Sequence, residues 1–508
     1  MLKRPIRTDQ FLYIFTFAIA LGIRLLNLGS LPLSEYEAGF AIQAFDLSQG
    51  FSTAVTGQPL YVVFTSFLFD IFGSSDALAR LLPALVGSML VWVPFVFRDK
   101  LGAKAALLTA FFVALDPGLV SLSRLAGGPI LALSFTLLAA AAWYSREHIL
   151  AGILVALASL SGPAFFTGLV GIISVWVFGQ LFGIIGGQRG ASGNRSNKLL
   201  LLLEDPLRSA LFAGLITFLA AGTLFLRFPQ GLSGWGSAFP QYISGWLSSS
   251  GEHPSKILLL LPVYQPFVLL FAIVGAVRAW SNREKTGRLL SLWLLLAFLW
   301  VLAYPGRQTW DLAWALLPLS ALAAVEISRC LVWQGENRMA AVVHAMLISA
   351  LMVFIYLDLA RPDDLLPRFE VTDNQFFEML VQYQRLARLL LVLVLGAVTT
   401  FLVSMGWSNT AAQRGLVWGL SFSLLIYGVS AAWQVAQRPE KAANQLWVPL
   451  PAAGLEDLLT ATIANYSEFY TGTSSEIEIV YLPDFDSLKW ALRSFTNARQ
   501  VNRLDSSS

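Results

Sequence analysis

Long apolar segments recur along almost the whole chain, and this repetition limits the fold more than any other feature. A helix that crosses a bilayer needs about 20 mostly apolar residues. Of the 508 residues, 56% are hydrophobic and 13% are charged, whereas soluble proteins carry about 25% charged residues. The sequence therefore predicts an all-α polytopic membrane protein. About thirteen transmembrane helices are predicted, at residues 10–28, 78–97, 104–121, 128–144, 149–161, 164–183, 209–226, 257–277, 289–304, 311–328, 339–357, 386–405 and 415–434.

The basic residues are divided unequally between the two ends of these spans. One side carries Lys3, Arg4, Arg7, Arg98, Lys100, Lys104, Arg189, Arg195, Lys198, Arg208, Arg278, Arg283, Lys285, Arg288, Arg329, Arg338 and Arg414. The longer loops opposite hold scattered arginines such as Arg80, Arg124, Arg227 and Arg307. Because cytoplasmic loops carry the excess of Lys and Arg, the basic side and the N-terminus are predicted to be cytoplasmic. The chain is thus expected to be a multi-pass protein of the cell membrane, with residues 29–77 in the first extracytoplasmic loop.

The end of the chain differs in character from the rest. "LEDLLTATIANYSEFY" is typical of an amphipathic helix, "SEIEIVYLP" of a strand and "DSLKWALRSF" of a second helix. We therefore expect a transmembrane domain over residues 1–436 and a small extracytoplasmic α/β domain over residues 437–508. The segment "GGQRGASGNRSNK", residues 186–198, has the composition of a flexible cytoplasmic linker.

Several classes of site and function find little support. The chain has one cysteine, Cys330, and three histidines that are far apart in sequence, so a Cys- or His-based metal site is not expected. No cofactor is certain, and a divalent cation stays an open option. The basic residues are dispersed and on the cytoplasmic side, which argues against nucleic-acid binding. The lack of an internal repeat and of charges inside the spans disfavours a small-solute transporter.

Two carboxylates, Glu35 and Glu37, follow the first span in the stretch "LPLSEYEAGF", and no basic residue lies between Arg24 and Arg80. The residues after Pro32 have helical spacing and an apolar stripe, which indicates a helix along the membrane surface. A carboxylate held there and partly desolvated has a raised pKa and suits a general base. The alternative is that these are solvated loop acids.

The order of motifs resembles the GT-C superfamily of membrane glycosyltransferases, above all its protein O-mannosyltransferase and aminoarabinose transferase branch. The resemblance covers about residues 10–180 and continues more loosely through "YPGRQTWDLAWALLPLSALAA". The tail stretch "LKWALRSF" resembles a subgroup linked to archaeal N-glycosylation. The matching residues are Glu37-Ala38, Pro59, Phe72-Gly73, Arg80-Leu81, Pro117 and Ser123-Arg124.

This resemblance implies an inverting transfer of a sugar from a polyprenyl-phosphate carrier to an acceptor protein, lipid or glycan at the extracytoplasmic face. The family's acidic pair activates the acceptor, but here Tyr36 stands where its Asp is expected, unless Ser34-Glu35 takes that place. The candidate catalytic residues are Glu37, Glu35 and Asp116. For Asp116 the alternatives are a helix N-cap or a salt bridge to Arg124. The alternative function is a catalytically degenerate member that binds lipid-linked sugars or helps to flip them.

The remaining candidates are cationic and aromatic. Arg124, Arg307 and Arg80 are expected to bind the donor phosphate, because the guanidinium fork matches phosphate oxygens. The alternative is an interfacial anchor for each arginine, or an i, i+4 pair of Arg80 with Asp76. The candidates for substrate binding are Tyr36, Gln58, Trp310, Asp311, Trp235 and Tyr242. For the aromatic residues of loop 227–255, the alternative is a position in the interfacial aromatic belt.

Overall fold

The computed structural model describes residues 8–51, 54–185, 205–248, 251–330, 337–359, 375–437, 447, 456–482 and 485–501. The first helices are α1 Thr8–Leu25, α2 Glu35–Ser48, α3 Pro59–Phe72, α4 Asp76–Ser88, α5 Trp92–Val96, α6 Arg98–Leu101, α7 Ala103–Leu115, α8 Pro117–Ser123, α9 Ile130–Tyr144, α10 His148–Ser159 and α11 Ala164–Leu181. The predicted linker 186–198 lies outside the described residues.

The helices that follow are α12 Asp205–Thr223, α13 Gly231–Leu247, α14 Pro254–Tyr264, α15 Pro266–Ser281, α16 Lys285–Ala303, α17 Ala313–Cys330, α18 Arg338–Leu359, α19 Gln375–Gly406, α20 Asn409–Gln437, α21 Glu456–Thr471 and α22 Asp486–Ala491. Short 3-10 helices lie at Met89–Val91, Thr309–Leu312 and Leu492–Ser494. Strands β1 Ile479–Tyr481 and β2 Ala498–Gln500 pair in parallel, with Ile479 opposite Ala498.

Local chemistry explains where several of these helices begin. Ser34 caps α2 through a capping box, in which the Ser34 hydroxyl accepts from the Glu37 backbone N–H and the Glu37 carboxylate accepts from the Ser34 N–H. Ser75 caps α4 in the same sense, because its hydroxyl accepts from the N–H of Leu78. Pro59 is the first residue of α3. At that position the backbone N–H has no hydrogen-bond partner within the helix, so the N–H that proline lacks costs no hydrogen bond.

Eight described helices or continuous helical segments are long and apolar enough to cross a membrane, or ten if two bent pairs each form one span. The eight are Asp76–Val96, Ala164–Leu181, Pro206–Thr223, Lys285–Ala303, Thr309–Cys330, Arg338–Tyr356, Ala387–Gly406 and Asn409–Gln434. The bent pairs, α7 with α8 and α14 with α15, turn by 54° and 94°. The all-α polytopic architecture is therefore confirmed, whereas the number of about thirteen spans is not. Two predicted spans are in fact short helices, α9 and α10, of 15 and 12 residues that pack against each other.

Helix α17 is the centre of the helical core. It is nearly all apolar, most of its side chains are buried, and it packs against α7, α15 and α16. Its Trp314 ring lies on Gly168 of α11, where a Cβ atom would overlap the ring, so only glycine permits this approach. The start of α17 is thereby fixed next to the start of α11.

A helix, a strand and a second helix lie near the end of the chain, where the sequence predicts them, and the second helix docks on the first loop. Helix α22 packs on α2, with Trp490 only 2% exposed and its ring 5.7 Å from that of Phe69. The Trp490 indole N–H donates to Asp76 at 2.8 Å, and the Lys489 ammonium pairs with Asp46 at 3.2 Å. The domain boundary at 436/437 stays a prediction: α20 ends at Gln437, and between there and α21 the structure describes only residue 447.

We expect Trp490→Ala to release the end of the chain from the first loop. Removing a buried Trp side chain costs about 3–5 kcal/mol, and here the lost contacts join two distant segments. Limited proteolysis of the full chain in detergent would then cut within residues 456–501 much faster than in the parent protein. The matched control is Phe485→Ala, because Phe485 is 60% exposed beside the same helix. Equal cleavage rates for the two variants would contradict the docking role of Trp490.

Candidate functional site

A cavity of about 330 Å³ opens where the ends of several helices converge. It is bordered by the start of α2, the N-cap of α3, the beginning of α11, helix α13 and the turn that joins α16 to α17. Five of the predicted substrate-binding residues line it: Tyr36, Gln58, Tyr242, Trp310 and Asp311. Its size is at the lower end of the roughly 300–1,000 Å³ typical of ligand sites. The cavity is therefore suited to one small polar group, such as a sugar ring.

Aromatic rings form two walls of this cavity. The rings of Tyr36 and Trp310 lie 5.0 Å apart, and those of Tyr242 and Tyr304 are stacked at 5.5 Å. Burial and then the nearby Asp311 raise the pKa of Tyr304 to about 12 and also raise that of Tyr36. Both phenols stay neutral at physiological pH, and each O–H donates to a backbone carbonyl, that of Gly127 for Tyr36 and that of Tyr242 for Tyr304. Their oxygens are hydrogen-bond acceptors beside apolar ring faces. Such surfaces suit a carbohydrate, which has both hydroxyl groups and apolar C–H faces.

Gln58 supplies an acceptor with no protein partner. Its amide N–H₂ donates to the carbonyl of Gly127 and, at 3.4 Å, to the hydroxyl of Tyr36, which itself donates to Gly127 at 2.8 Å. The amide oxygen of Gln58 is buried and has no hydrogen-bond partner within the described chain. Since Gln58 lines the cavity, this oxygen is a candidate acceptor for a ligand hydroxyl.

Asp311 is the one carboxylate among the described residues that line the cavity, and they include no Lys or Arg. Its Oδ2 accepts from the N–H of Gln308 at 2.9 Å, within a capping box of the 3-10 helix Thr309–Leu312. The described residues give Oδ1 no hydrogen bond. Asp311 therefore has one oxygen that anchors it and one that is available to a ligand.

Glu37 does not line the cavity, although it is next to Tyr36. The Glu37 Oε1 atom accepts from Arg80 Nε at 2.7 Å and from the Ala126 N–H at 3.0 Å. The Oε2 atom accepts from Arg80 Nη2 at 2.8 Å and from the N–H and hydroxyl of Ser34, both at 3.0 Å. Burial alone would raise the pKa of Glu37, but the Arg80 charge and these hydrogen bonds lower it below its usual range. The raised pKa expected from the sequence is wrong, and the geometry favours a structural role over that of a base.

The other two candidate acids are also engaged elsewhere. Glu35 accepts from the backbone N–H groups of Asp486 and Ser487 at 2.6 and 3.0 Å, so it caps α22. Asp116 is the N-cap of α8, where it accepts from the Leu119 N–H at 2.9 Å, and it also accepts from the amide of Gln265. The N-cap alternative for Asp116 is the one that the structure shows.

The three arginines do not form one cationic cradle. Arg80 pairs with Glu37, and the alternative pairing with Asp76 is not the one seen, because Asp76 accepts from the Trp490 indole. Arg124 donates to carbonyls at the C-terminal end of α1, those of residues 23, 24, 26 and 27, and to that of residue 436. Arg307 lies at the rim, between the cavity-lining Gly306 and Gln308.

Arg307 has capacity for a further partner. Its Nη1 donates to the carbonyl of Glu252 at 3.3 Å, and its Nε is buried with no hydrogen-bond partner within the described ranges.

Trp235 does not line the cavity. Its ring packs edge-on against Phe218 at 5.1 Å and is 41% exposed, as the aromatic-belt alternative expects.

Sequence reasoning did not single out Tyr304, Gln241 and Gln308, which complete the cavity. The stretch "YPGRQ" places Tyr304 and Gln308 on either side of a Pro-Gly turn. An aromatic and an amide side chain on one short loop are both suited to ligand contacts, and this is the signal that could have identified them. In the part of the chain that the structure describes, no three His, Cys, Asp or Glu side chains come together as metal ligands. The optional divalent cation therefore has no ligand cluster there.

Solved structures share this arrangement of helices. The chain is similar to the crystal structure of ArnT, the aminoarabinose transferase of Cupriavidus metallidurans, bound to undecaprenyl phosphate, with a TM-score of 0.53 and 16% identity over 97% of this chain and 86% of that one. The apo structure of the same protein gives the same TM-score and coverage at 15% identity. The chain therefore shares the fold of ArnT. It is a multi-pass membrane protein.

A lower similarity, with a TM-score of 0.46 and 13% identity, relates the chain to the archaeal oligosaccharyltransferase AglB of Archaeoglobus fulgidus in complex with an inhibitory peptide and a dolichol-phosphate. That match covers 96% of this chain and 64% of AglB. No protein-family model and no curated protein matches the sequence. The expected link of the tail to archaeal N-glycosylation stays a prediction.

We expect the Glu37–Arg80 pair to be a principal stabilising contact around the cavity. Removing one partner of a buried ion pair costs about 3–5 kcal/mol, because the other charge is left unpaired. Arg80→Met should therefore lower the free energy of unfolding strongly, and Glu37→Gln combined with Arg80→Met should restore part of the loss. Thermal unfolding of the detergent-solubilised chain measures both.

The matched control for this pair is Arg227→Ala. Arg227 also pairs with an acid, Asp70, at 3.1 Å, but the two side chains are 52% and 40% exposed. An exposed pair contributes only about 0–1 kcal/mol, so this variant should unfold near the parent temperature. If Arg80→Met lowers the unfolding temperature no more than Arg227→Ala does, the Glu37–Arg80 pair is not a principal stabilising contact.

Proposed function

We propose that the chain is an inverting membrane glycosyltransferase that moves a sugar from a polyprenyl-phosphate carrier to an acceptor. The observation that carries the proposal is the cavity, which combines two aromatic walls, the unpartnered oxygen of Gln58 and the single carboxylate of Asp311. The fold supports it, because ArnT, a transferase of that fold, is described as bound to undecaprenyl phosphate. The sugar occupies the cavity, between the rings of Tyr36 and Trp310 and those of Tyr242 and Tyr304.

The donor phosphate binds at the rim under this proposal. A phosphate is costly to bury without a cation, and the described lining holds none. Arg307 is the candidate cation, because its neighbours on both sides line the cavity and its buried Nε lacks a partner in the described structure. The polyprenyl chain then extends from the rim into the bilayer.

Asp311 is the proposed general base. Its free Oδ1 takes the proton from the hydroxyl or amine of the acceptor, whose oxygen or nitrogen forms a bond to the anomeric carbon. The bond between that carbon and the phosphate oxygen breaks, and polyprenyl phosphate leaves with the electron pair. Arg307 stabilises the negative charge that develops on the phosphate. Glu37 holds the start of α2 through Arg80, which keeps Tyr36 in the cavity wall.

We also propose the orientation of the chain in the cell membrane. Helix α16 begins at the basic Lys285 and ends next to Tyr304, so the cavity and the basic residues lie at opposite ends of one helix. With the basic end in the cytoplasm, the cavity and the docked α22 are extracytoplasmic. The N-terminus is then cytoplasmic, as the sequence predicts.

A second candidate function is binding or flipping of lipid-linked sugars without transfer. It is favoured by Tyr36, which stands where the family resemblance expects an Asp, and by the full engagement of Glu37 and Glu35 in the structure. In that case the cavity holds the sugar, but no acceptor is activated.

We expect Asp311→Asn to abolish transfer while donor binding persists. Loss of a general base lowers the rate about 10²- to 10⁴-fold. The assay uses the full chain in lipid nanodiscs, a panel of labelled polyprenyl-phosphate sugars, and separate readouts of bound donor and released polyprenyl phosphate. Glu37→Gln should lower the amount of folded protein, but the transfer rate per folded molecule should stay that of the parent protein.

Asp46→Asn is the matched control, since Asp46 is an acid of the same loop that pairs with Lys489 away from the cavity. Full transfer by Asp311→Asn together with none by a folded Glu37→Gln would return the base role to Glu37. Tight donor binding by the parent protein with no turnover on any acceptor would favour the second candidate function.

A further inference from the structure

A second, larger cavity lies at the other end of the helix bundle from the candidate site. It has a volume of about 460 Å³ and is formed between α5, α6, α9, α16 and α17. We call it the basal groove and define it by Phe97, Leu101, Tyr144, Leu289 and Trp293, which supply much of its apolar wall. The rings of Phe97 and Tyr144 lie 4.9 Å apart, and Tyr144 is 40% exposed, so the groove opens at the surface.

Two ammonium groups border this apolar space. Lys100 and Lys285 line the groove, and both are exposed. Neither side chain forms a hydrogen bond or an ion pair with another described residue. The nearest acid in sequence to Lys285, Glu284, is held by Arg329 at 2.5 Å. Asp99, next to Lys100, is exposed. The groove thus presents positive charge at one end of an apolar wall.

The two lysines lie at the depth where lipid headgroups are expected. Lys285 is the first residue of the candidate span Lys285–Ala303, and Lys100 lies just beyond the end of the span Asp76–Val96. Apart from Thr109 and Thr286, the other side chains that line the groove are apolar or aromatic, which fits a position beside acyl chains. A basic pocket between transmembrane helices at this depth has the chemistry that binds anionic lipid headgroups.

We propose that the basal groove binds an anionic glycerophospholipid of the leaflet opposite the candidate site. One acyl chain lies along Leu289, Trp293 and Tyr144, and the headgroup phosphate binds Lys100 and Lys285. The positive charge selects an anionic over a zwitterionic headgroup, and the apolar wall selects a lipid over a soluble phosphate. The groove does not share a lining residue with the candidate site, so this binding does not depend on the proposed sugar transfer.

The test is photocrosslinking of the full chain in mixed micelles with phosphatidylglycerol or phosphatidylcholine that carries a diazirine in one acyl chain. Mass spectrometry of the peptides then locates the adducts. We expect phosphatidylglycerol adducts on α9 and α16, near residues 137–144 and 289–293, and few from phosphatidylcholine. Lys100→Ala with Lys285→Ala should lower this labelling by about fivefold for each charge removed.

A matched double variant separates a built site from general surface charge. Arg146→Ala with Arg283→Ala also removes two exposed positive charges close to the groove, but neither residue lines it. This variant should keep the phosphatidylglycerol labelling. Ala140→Trp, which fills the groove from its exposed side, should lower labelling by both lipids.

Any one of the following results would overturn the proposal. They are equal labelling by the two phospholipids, equal loss in the two double variants, and adducts that map away from α9 and α16. Stronger labelling by a diazirine-tagged polyprenyl phosphate than by phosphatidylglycerol would assign the groove to the carrier lipid and also overturn it. Because Lys100 and Lys285 are exposed and contribute no described contacts, their replacement leaves the fold intact, and a loss of labelling reports on binding.

Discussion

The buried ion pair between Glu37 and Arg80 is the contact on which the arrangement around the cavity depends. Two charges removed from water are tolerated only when every oxygen and N–H group finds a partner. Here the carboxylate accepts from Arg80, Ser34 and Ala126, while Arg80 also donates to the carbonyls of Leu28, Leu31 and Pro32. The pair therefore ties α2, α4 and the turn before α9 together, and it fixes which side of α2 faces the cavity.

The acids Glu35, Asp46 and Asp76, which follow the first helix, serve mainly to assemble the chain. Glu35 caps α22, Asp46 binds Lys489, and Asp76 accepts from the Trp490 indole. Each of these carboxylates meets a group from the last part of the sequence, which explains why a loop so rich in acids contains no nearby Lys or Arg of its own. The groups that donate to them are more than 400 residues away along the chain.

The sequence predicts those parts of the molecule that depend on local patterns. The sequence predicts the helix after Pro32 and the helices and strand near the end of the chain from residue spacing, and it singles out Tyr36 and Trp310, which line the cavity. The pairing of Arg80 is different. An i, i+4 partner is visible in the sequence, whereas Glu37, 43 positions away, becomes the partner only through the packing of α2 on α4. Charge patterns along a chain do not reveal which distant acid is buried beside which base.

The distribution of charge in the cavity limits how a phosphorylated lipid can bind there. A sugar ring is neutral and gains from the Gln58 oxygen and the phenols, but a phosphate in the same space meets Asp311 and no Lys or Arg among the described lining residues. Under the proposed function the scissile bond therefore lies at the mouth of the cavity, with the sugar inside and the phosphate toward Arg307. This placement also explains how one carboxylate suffices. Asp311 repels the phosphate from the cavity. It also takes the proton from the acceptor, which approaches the anomeric carbon from the face opposite to the leaving phosphate.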